Sequence, residues 1–224
     1  MTFSIVARCS RTGMFGVAIS SSSPAVAARC SYAQAGVGAV ASQNVTDPAL
    51  GPRTLGYLAQ GLSAGEAISS VMSTAHYGEY RQVLAVDRNG ASAIHSGAQA
   101  LGIWAGAHAT DVACGGNLLA SDRIPQIMVE SFLASQGDLG DRLVTAMRAA
   151  VKAGGEAGPV RSSGLKLVRE VSWPVADLRC DWTDSCPIEQ LAQLWDIYKP
   201  QLESYVTRAL NPADAPSYGV PGDR

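Results

Sequence analysis

The sequence predicts an α+β fold in which sheets stack on one another between two helical layers. Apolar runs of strand character come in hairpin pairs, segments of helical period come in consecutive pairs, and the two kinds alternate along the chain. A third observation sets the scale: 224 residues with 47% hydrophobic content can bury one full core without splitting. Residues 1–210 are therefore read as a single domain, and 211–224, rich in Pro, Gly and Asp, as an irregular tail.

The elements follow in order. Phe3–Cys9 and Met14–Ser21 are partly alternating apolar runs separated by SRTG, whose Gly13 suits a tight turn, and they read as a β-hairpin. Val37–Gln43 is rich in small apolar residues, as expected of a strand covered on both faces. Asp47-Pro48 then offers an N-cap with Pro in the first turn, and Leu50, Leu55 and Leu58 precede Gly61 as a stop. Ser63 and Glu66 have capping-box spacing ahead of Ala67, Ile68, Val71 and Met72, which makes a second helix. Arg81–Asp87 and Ala91–Ser96 flank an Asn89-Gly90 turn as a second hairpin. Strand material from Trp104 to Cys114 ends at Gly115-Gly116-Asn117, and Asp122–Ser135 and Leu139–Ala153 form a second helix pair. Gly164–Trp173 and Val175–Asp181 are two late strands, and a long helix from Pro187 is disturbed at Pro200. Its apolar residues Leu191, Leu194, Trp195, Ile197 and Tyr198 suit packing on the core or on a second copy, and the chain is expected to form a homo-oligomer, a dimer by preference.

Composition narrows the function classes. Seventeen basic against 19 acidic residues give a net charge of -2 with no Lys/Arg block, which argues against a nucleic-acid partner. There is no apolar run of roughly 18 residues and no leader-like start, so no membrane partner is expected and the chain reads as soluble and cytoplasmic. Five cysteines without a CxxC pair suit reduced thiols. Three histidines add no metal-site spacing, and no phosphate-binding glycine loop occurs, so no metal or cofactor is expected.

Thr2 follows the initiator Met and opens the first strand. Removal of Met1 would leave a free α-amine and a β-hydroxyl on one residue. Such a pair is a nucleophile with its own base, because an α-amine of pKa roughly 7.7 to 8.0 accepts a proton near neutrality. Against this stands the plain fact that small residues after Met are common for processing reasons alone. If the first hairpin turns about Thr12, residues whose numbers sum to about 23 face each other, which sets Thr2 opposite Ser21 with Ser22 beside it. Those hydroxyls either surround the amine or form a polar strand end.

Other chemistry is more diffuse. Gly116 and Asn117 could bring backbone and an amide donor to an oxyanion, or make a simple turn with Asn in a left-handed conformation. Gln43 and Asn44 either bind substrate or cap the adjoining loop. Cys114 competes as nucleophile but has no histidine or basic activator near it in sequence, which favours a buried structural thiol.

Several stretches taken together resemble one family: TFSIVAR, GVAISS, QAGVGAVASQNVTDPALGPRTLGYLAQGLSAGEA, EYRQVLAVDRNG, WAGAH, GGNLLAS and DLRCD. They are similar to a bacterial family known as a domain of unknown function, number 1028, placed in the N-terminal nucleophile (Ntn) hydrolase superfamily. The resemblance spans about residues 2–195. It implies a four-layer αββα sandwich of Ntn-hydrolase type, and hydrolysis of a small linear or cyclic amide by the mature N-terminal residue, here Thr2. It matches the family's Gln after the third strand to Gln43 and its Gly-Asn motif to Gly116 and Asn117. One departure stands out. The family's Gly-Gly-Asp-Arg-Arg-Gly-like stretch is here GGEAGPVRSSG, read as leaving the acidic position without a counterpart and Arg161 as an approximate match. A catalytically silent binding protein on the same scaffold is the alternative that this departure supports.

Overall fold

Strand structure begins at the second residue of the chain, in a computed structural model that describes residues 1–220. β1 (Thr2–Arg8) and β2 (Phe15–Ser21) form the first hairpin. A single helical turn, α1 (Ala27–Cys30), leads to β3 (Ser31–Gln34) and β4 (Gly38–Asn44). The helix pair α2 (Leu50–Ala59) and α3 (Ala64–Met72) precedes the hairpin of β5 (Arg81–Asp87) and β6 (Ser92–Ser96). β7 (Ala105–Ala109) and β8 (Val112–Asn117) lead to α4 (Ile124–Ala134) and α5 (Leu139–Lys152). β9 (Ser162–Val168), β10 (Ala176–Cys180), α6 (Pro187–Tyr198) and α7 (Leu202–Leu210) complete the elements, the last two joined by a 3₁₀ turn at Lys199–Gln201.

All strand pairs are antiparallel. One sheet has the order β10-β9-β2-β1-β8-β7 and the other β3-β4-β5-β6. The sheets pack face to face, with α4, α5 and α6 on the outer face of the larger and α2 and α3 on that of the smaller, which is a four-layer αββα sandwich. Side-chain alternation divides β1 between two cores. Phe3, Ile5 and Ala7 join Met128, Phe132, Leu143 and Trp195 under the helices. Val6 meets Val17, Ala41, Leu84 and Val86 between the sheets. Thr2 and Ser4 share the parity of Val6, so both belong to the inter-sheet side.

The structure adjusts several expectations. α1 and β3 lie in a stretch to which the sequence assigned no element; β3 is four residues long, too short to show a period. The material between Trp104 and Cys114 is a hairpin, β7 turning into β8 at Asp111 with φ +68°. Gly115 and Gly116 are not a turn but the end of β8. A Cβ on Gly115 would lie 3.2 Å from Leu84 across the inter-sheet space, and one on Gly116 would lie 2.6 Å from Leu119. These glycines permit close packing rather than a reversal. The Ser63–Glu66 capping box is present, and the C-terminal helix breaks at Pro200 as expected. Leu191 and Trp195 pack into the chain's own core, while Ile197 is 65% exposed. In the tail, Pro212–Asp214 forms one 3₁₀ turn, and the final four positions of the expected tail, 221–224, lie outside the described residues.

Candidate active site

Thr2 sits at the end of the central β1 with neighbours on both sides. In the register it faces Ser21 on β2 and Asn117 on β8. Thr2 is 7% exposed, and Ser21 and Asn117 are 1% exposed. Thr2 Oγ1 donates to the Met1 carbonyl at 2.5 Å and lies 3.3 Å from Ser21 Oγ. Ser21 Oγ donates to the same carbonyl and accepts the Ser23 N–H at 3.1 Å. With Met1 in place, the Thr2 nitrogen is a peptide nitrogen and its hydroxyl is engaged.

Behind this end of the sheet runs a buried polar chain that ties the two sheets together. Ser4 Oγ donates to Gln43 Oε1 at 2.7 Å, and Gln43 Nε2 donates to Gln82 Oε1 at 2.7 Å. Gln82 Nε2 donates to the Gly116 carbonyl at 3.1 Å and to Ser96 Oγ at 3.0 Å. Asn117 Nδ2 donates to Gln82 Oε1 at 3.3 Å, which uses one of its two N–H donors. Ser4, Gln43 and Gln82 are fully buried, so these bonds satisfy groups that would otherwise be costly to desolvate. Gln43 thus binds neither the adjoining loop nor open space; it joins β1 to β5. Asn44, with φ +73°, ties a loop: its Nδ2 donates to the Tyr80 carbonyl at 2.5 Å and its Oδ1 accepts the Leu101 N–H at 3.2 Å.

The most informative residue at this end is one the sequence reading passed over. The 154–164 segment, read as lacking a counterpart to the family's acidic position, brings an acid beside Ser22, next to the end of the first hairpin. Gly154 (φ +112°) and Gly155 (φ +58°) turn the chain back out of α5. The segment is then stitched to the end of β8, Ala120 N–H to the Gly155 carbonyl at 3.0 Å and Ala157 N–H to the Leu118 carbonyl at 2.9 Å. Glu156, bridged to Leu119, is thereby buried to 4% exposure. Its Oε2 accepts the Ser22 N–H at 3.1 Å, whereas Oε1 has no hydrogen-bond partner among the described residues. Burial pushes its carboxyl up to about 7, while the α-ammonium of Met1 and the Ser22 N–H work in the other direction. Ser22, half-buried, contributes to the site through that backbone donor. A lone acid after a Gly-Gly pair in a segment without apolar period was the available signal. Gln82 was equally visible as a polar residue with Val83, Leu84, Ala85 and Val86 immediately after it in one strand.

Two other places are set apart. Cys114 is fully buried on the helix-facing side, and burial pushes its thiol well up, so it is a poor nucleophile. A cleft of about 380 Å³ lined by Cys9, Arg11, Met14, Asp141, Trp195 and Lys199 lies at the far end of the first hairpin. That is a strand length, about 20 Å, from Thr2. Among the described residues, no group of three or more His, Cys, Asp or Glu side chains is arranged to hold a metal ion, and no helix is long and apolar enough to cross a membrane.

The model of a family of unknown function, DUF1028, matches residues 2–191. A solved structure of a protein from Silicibacter pomeroyi, assigned to the same family, is 28% identical, with 88% of this chain and 89% of that chain covered and a TM-score of 0.82. Two solved ancestral β-subunit (Anbu) structures are each 11% identical. The one from Yersinia bercovieri has a TM-score of 0.36, with 91% of this chain and 97% of that chain covered. A Gly-1 mutant from a Hyphomicrobium strain has a TM-score of 0.39, with 92% and 99% covered. No curated protein matches the chain. By the extent of the family match, which takes in every strand and helices α1 to α5, the chain belongs to the DUF1028 family of unknown function.

Proposed function

We propose that this protein is an Ntn-type amidohydrolase that cleaves a C–N amide bond of a small linear or cyclic amide, with Thr2 of the mature chain as nucleophile. One observation carries the reading: Thr2 is buried at the first position of a central strand, in register between Ser21 and Asn117. A residue held in a sheet has little freedom left to lose on reaching an attack geometry. The αββα arrangement supports the same class.

In the mechanism, loss of Met1 frees the α-amine. The amine, directly or through a water, takes the Thr2 hydroxyl proton as Oγ attacks the substrate carbonyl. Asn117 and a backbone N–H stabilise the oxyanion, Asn117 through the amide hydrogen that Gln82 leaves unused. Gln43 and Gln82 act as supports, fixing Asn117 and the Gly116 backbone. The C–N bond breaks as the amine returns its proton to the leaving nitrogen, and an ester forms on Oγ. Water, deprotonated by the same amine, hydrolyses that ester. Homodimer formation remains part of this reading through the exposed Ile197 side of α6.

The test is turnover of a panel of small amides by chains that begin at residue 2. Thr2→Ala should fold normally, with unchanged circular dichroism and melting, and lose turnover to background. Thr2→Ser should retain a measurable fraction. Full turnover by folded Thr2→Ala protein would refute the mechanism. The Met1 contacts favour one second reading: a chain that keeps Met1 has no free Thr2 amine and would be a silent binding form, which intact-mass measurement distinguishes.

A further inference from the structure

We infer that Trp104 determines the specificity of the mature site, its indole, with Leu101 and Ile103 beside it, taking a planar apolar ring on the substrate. The inference rests on Thr2 being the nucleophile, and it narrows the substrate to a ring-bearing amide. Strand register sets the geometry. Ser21 faces Thr2 and Thr2 faces Asn117, a row of side chains across one end of the larger sheet. On the other side of β8, Gly106 faces Gly115 and Ala105 faces Gly116. One step further along the same antiparallel pair comes Trp104, opposite Asn117, and residues directly opposite share a face. Alternation along β7 agrees. A Cβ on Gly106 would lie 2.9 Å from Ile94 of the smaller sheet, so the even-numbered positions of β7 face that sheet, as does Asn117, which donates to Gln82 there. Trp104 thus continues the row two strand spacings, about 10 Å, from Thr2.

At Trp104 the row offers open apolar surface. Trp104 is 40% exposed, Leu101 45% and Ile103 48%, three large apolar side chains within residues 101–104. The backbone beneath them is fixed from both sheets. The Leu118 and Leu119 N–H groups donate to the Leu101 and Ile103 carbonyls at 2.9 Å, and Asn44 Oδ1, at the end of β4, accepts the Leu101 N–H at 3.2 Å. Gln82 Nε2, in the amide chain that holds Asn117, lies 3.3 Å from the Ala105 carbonyl. Leu118, immediately after Asn117, takes φ +50°, a conformation that is costly for a bulky side chain and is kept where the surroundings impose it. That turn carries the chain out of β8 and into its bonds with residues 101–103. A pinned aromatic wall beside an amide donor suits a ligand with one flat apolar end and one carbonyl. A ring against the indole gains from burial and from the preferred stacking geometry.

The experiment uses chains that start at Thr2, verified by intact mass, and compares phenylacetamide with acetamide and N-benzylacetamide with N-methylacetamide. At least one ring-bearing amide should exceed its ring-free counterpart by about 10- to 100-fold in kcat/KM. Trp104→Ala should bring that ratio near unity and Trp104→Phe should keep most of it, with circular dichroism unchanged in both. Wild-type ratios near unity, or a Trp104→Ala chain that lowers ring-bearing and ring-free amides by one factor, overturn the assignment. So does a dimer, seen by sedimentation, that Trp104→Ala dissociates while no ring preference exists, because the surface then belongs to a second copy. Ligand-observed NMR of the two ring-bearing amides on folded Thr2→Ala protein reads the subsite without turnover. Binding that Trp104→Ala abolishes, with no turnover by the Thr2 chain, refutes the hydrolase reading and supports the subsite. Turnover without ring preference refutes the subsite and leaves the hydrolase; neither binding nor turnover refutes both.

Discussion

Glu156 couples stability to pH at the same place where chemistry is proposed. Its carboxyl is raised from 4.5 to about 7, so the folded state holds its proton where the unfolded chain has lost it. The stability that this proton confers is complete below about pH 4.5 and is lost as pH rises through about 7. The corresponding loss is on the order of 3 kcal/mol. Urea unfolding of the chain that carries Met1 should therefore show a decline from pH 5 to pH 8 that is absent in Glu156→Gln; equal slopes in the two proteins would contradict a buried, raised carboxyl. Sequence inspection offered Thr2, Ser21, Gln43, Gly116 and Asn117 as candidates, because each stands at the end of a recognisable strand or in a short polar interruption of one, and the family resemblance rather than local chemistry favoured Asn117 over a turn. Glu156 escaped because what places it is the pair of positive-φ glycines before it and two backbone bonds to the end of β8. Neither leaves a periodic trace in the segment itself.

Elements defined by local rules were legible, and those defined by packing were not. The turn about Thr12 was enough to set Thr2 opposite Ser21, because an antiparallel register is determined once its turn is placed. The Ser63–Glu66 box and the break at Pro200 are equally local. The Gly-Gly of β8 misled because glycine signals turns more often than close sheet contacts. The same ambiguity attends Gly140 in α5, where a Cβ would lie 2.4 Å from the Trp195 ring. That ring is 3% exposed, and its indole N–H donates to Asp141 Oδ1 at 2.8 Å, so it has little room to retreat. Gly140→Ala should cost about 1–3 kcal/mol in urea unfolding by forcing α5 and α6 apart. A change within a few tenths of a kcal/mol would mean the ring moves freely.

At the scale of the whole molecule, the alternation of hairpins and helix pairs along the chain predicted the layers, since each amphipathic element needs a partner face. Strand order was less accessible. β1 lies between β2 and β8, partners from different parts of the chain, and that placement gives Thr2 neighbours on both sides. The sandwich also separates the two ends of β1: the Thr2 end meets Glu156 and the inter-sheet amide network, and the other leads to the cleft beside Trp195 and Lys199. The proposed chemistry is thus concentrated on one hydroxyl at one end of one strand. The most direct test is covalent labelling of the chain that starts at Thr2 with a small β-lactone, followed by proteolysis and mass mapping of the adduct. A single acyl adduct on the N-terminal Thr2, absent from Thr2→Ala and from protein that retains Met1, is the predicted result; an adduct on Cys114, or labelling indifferent to Thr2 and Met1, would contradict it.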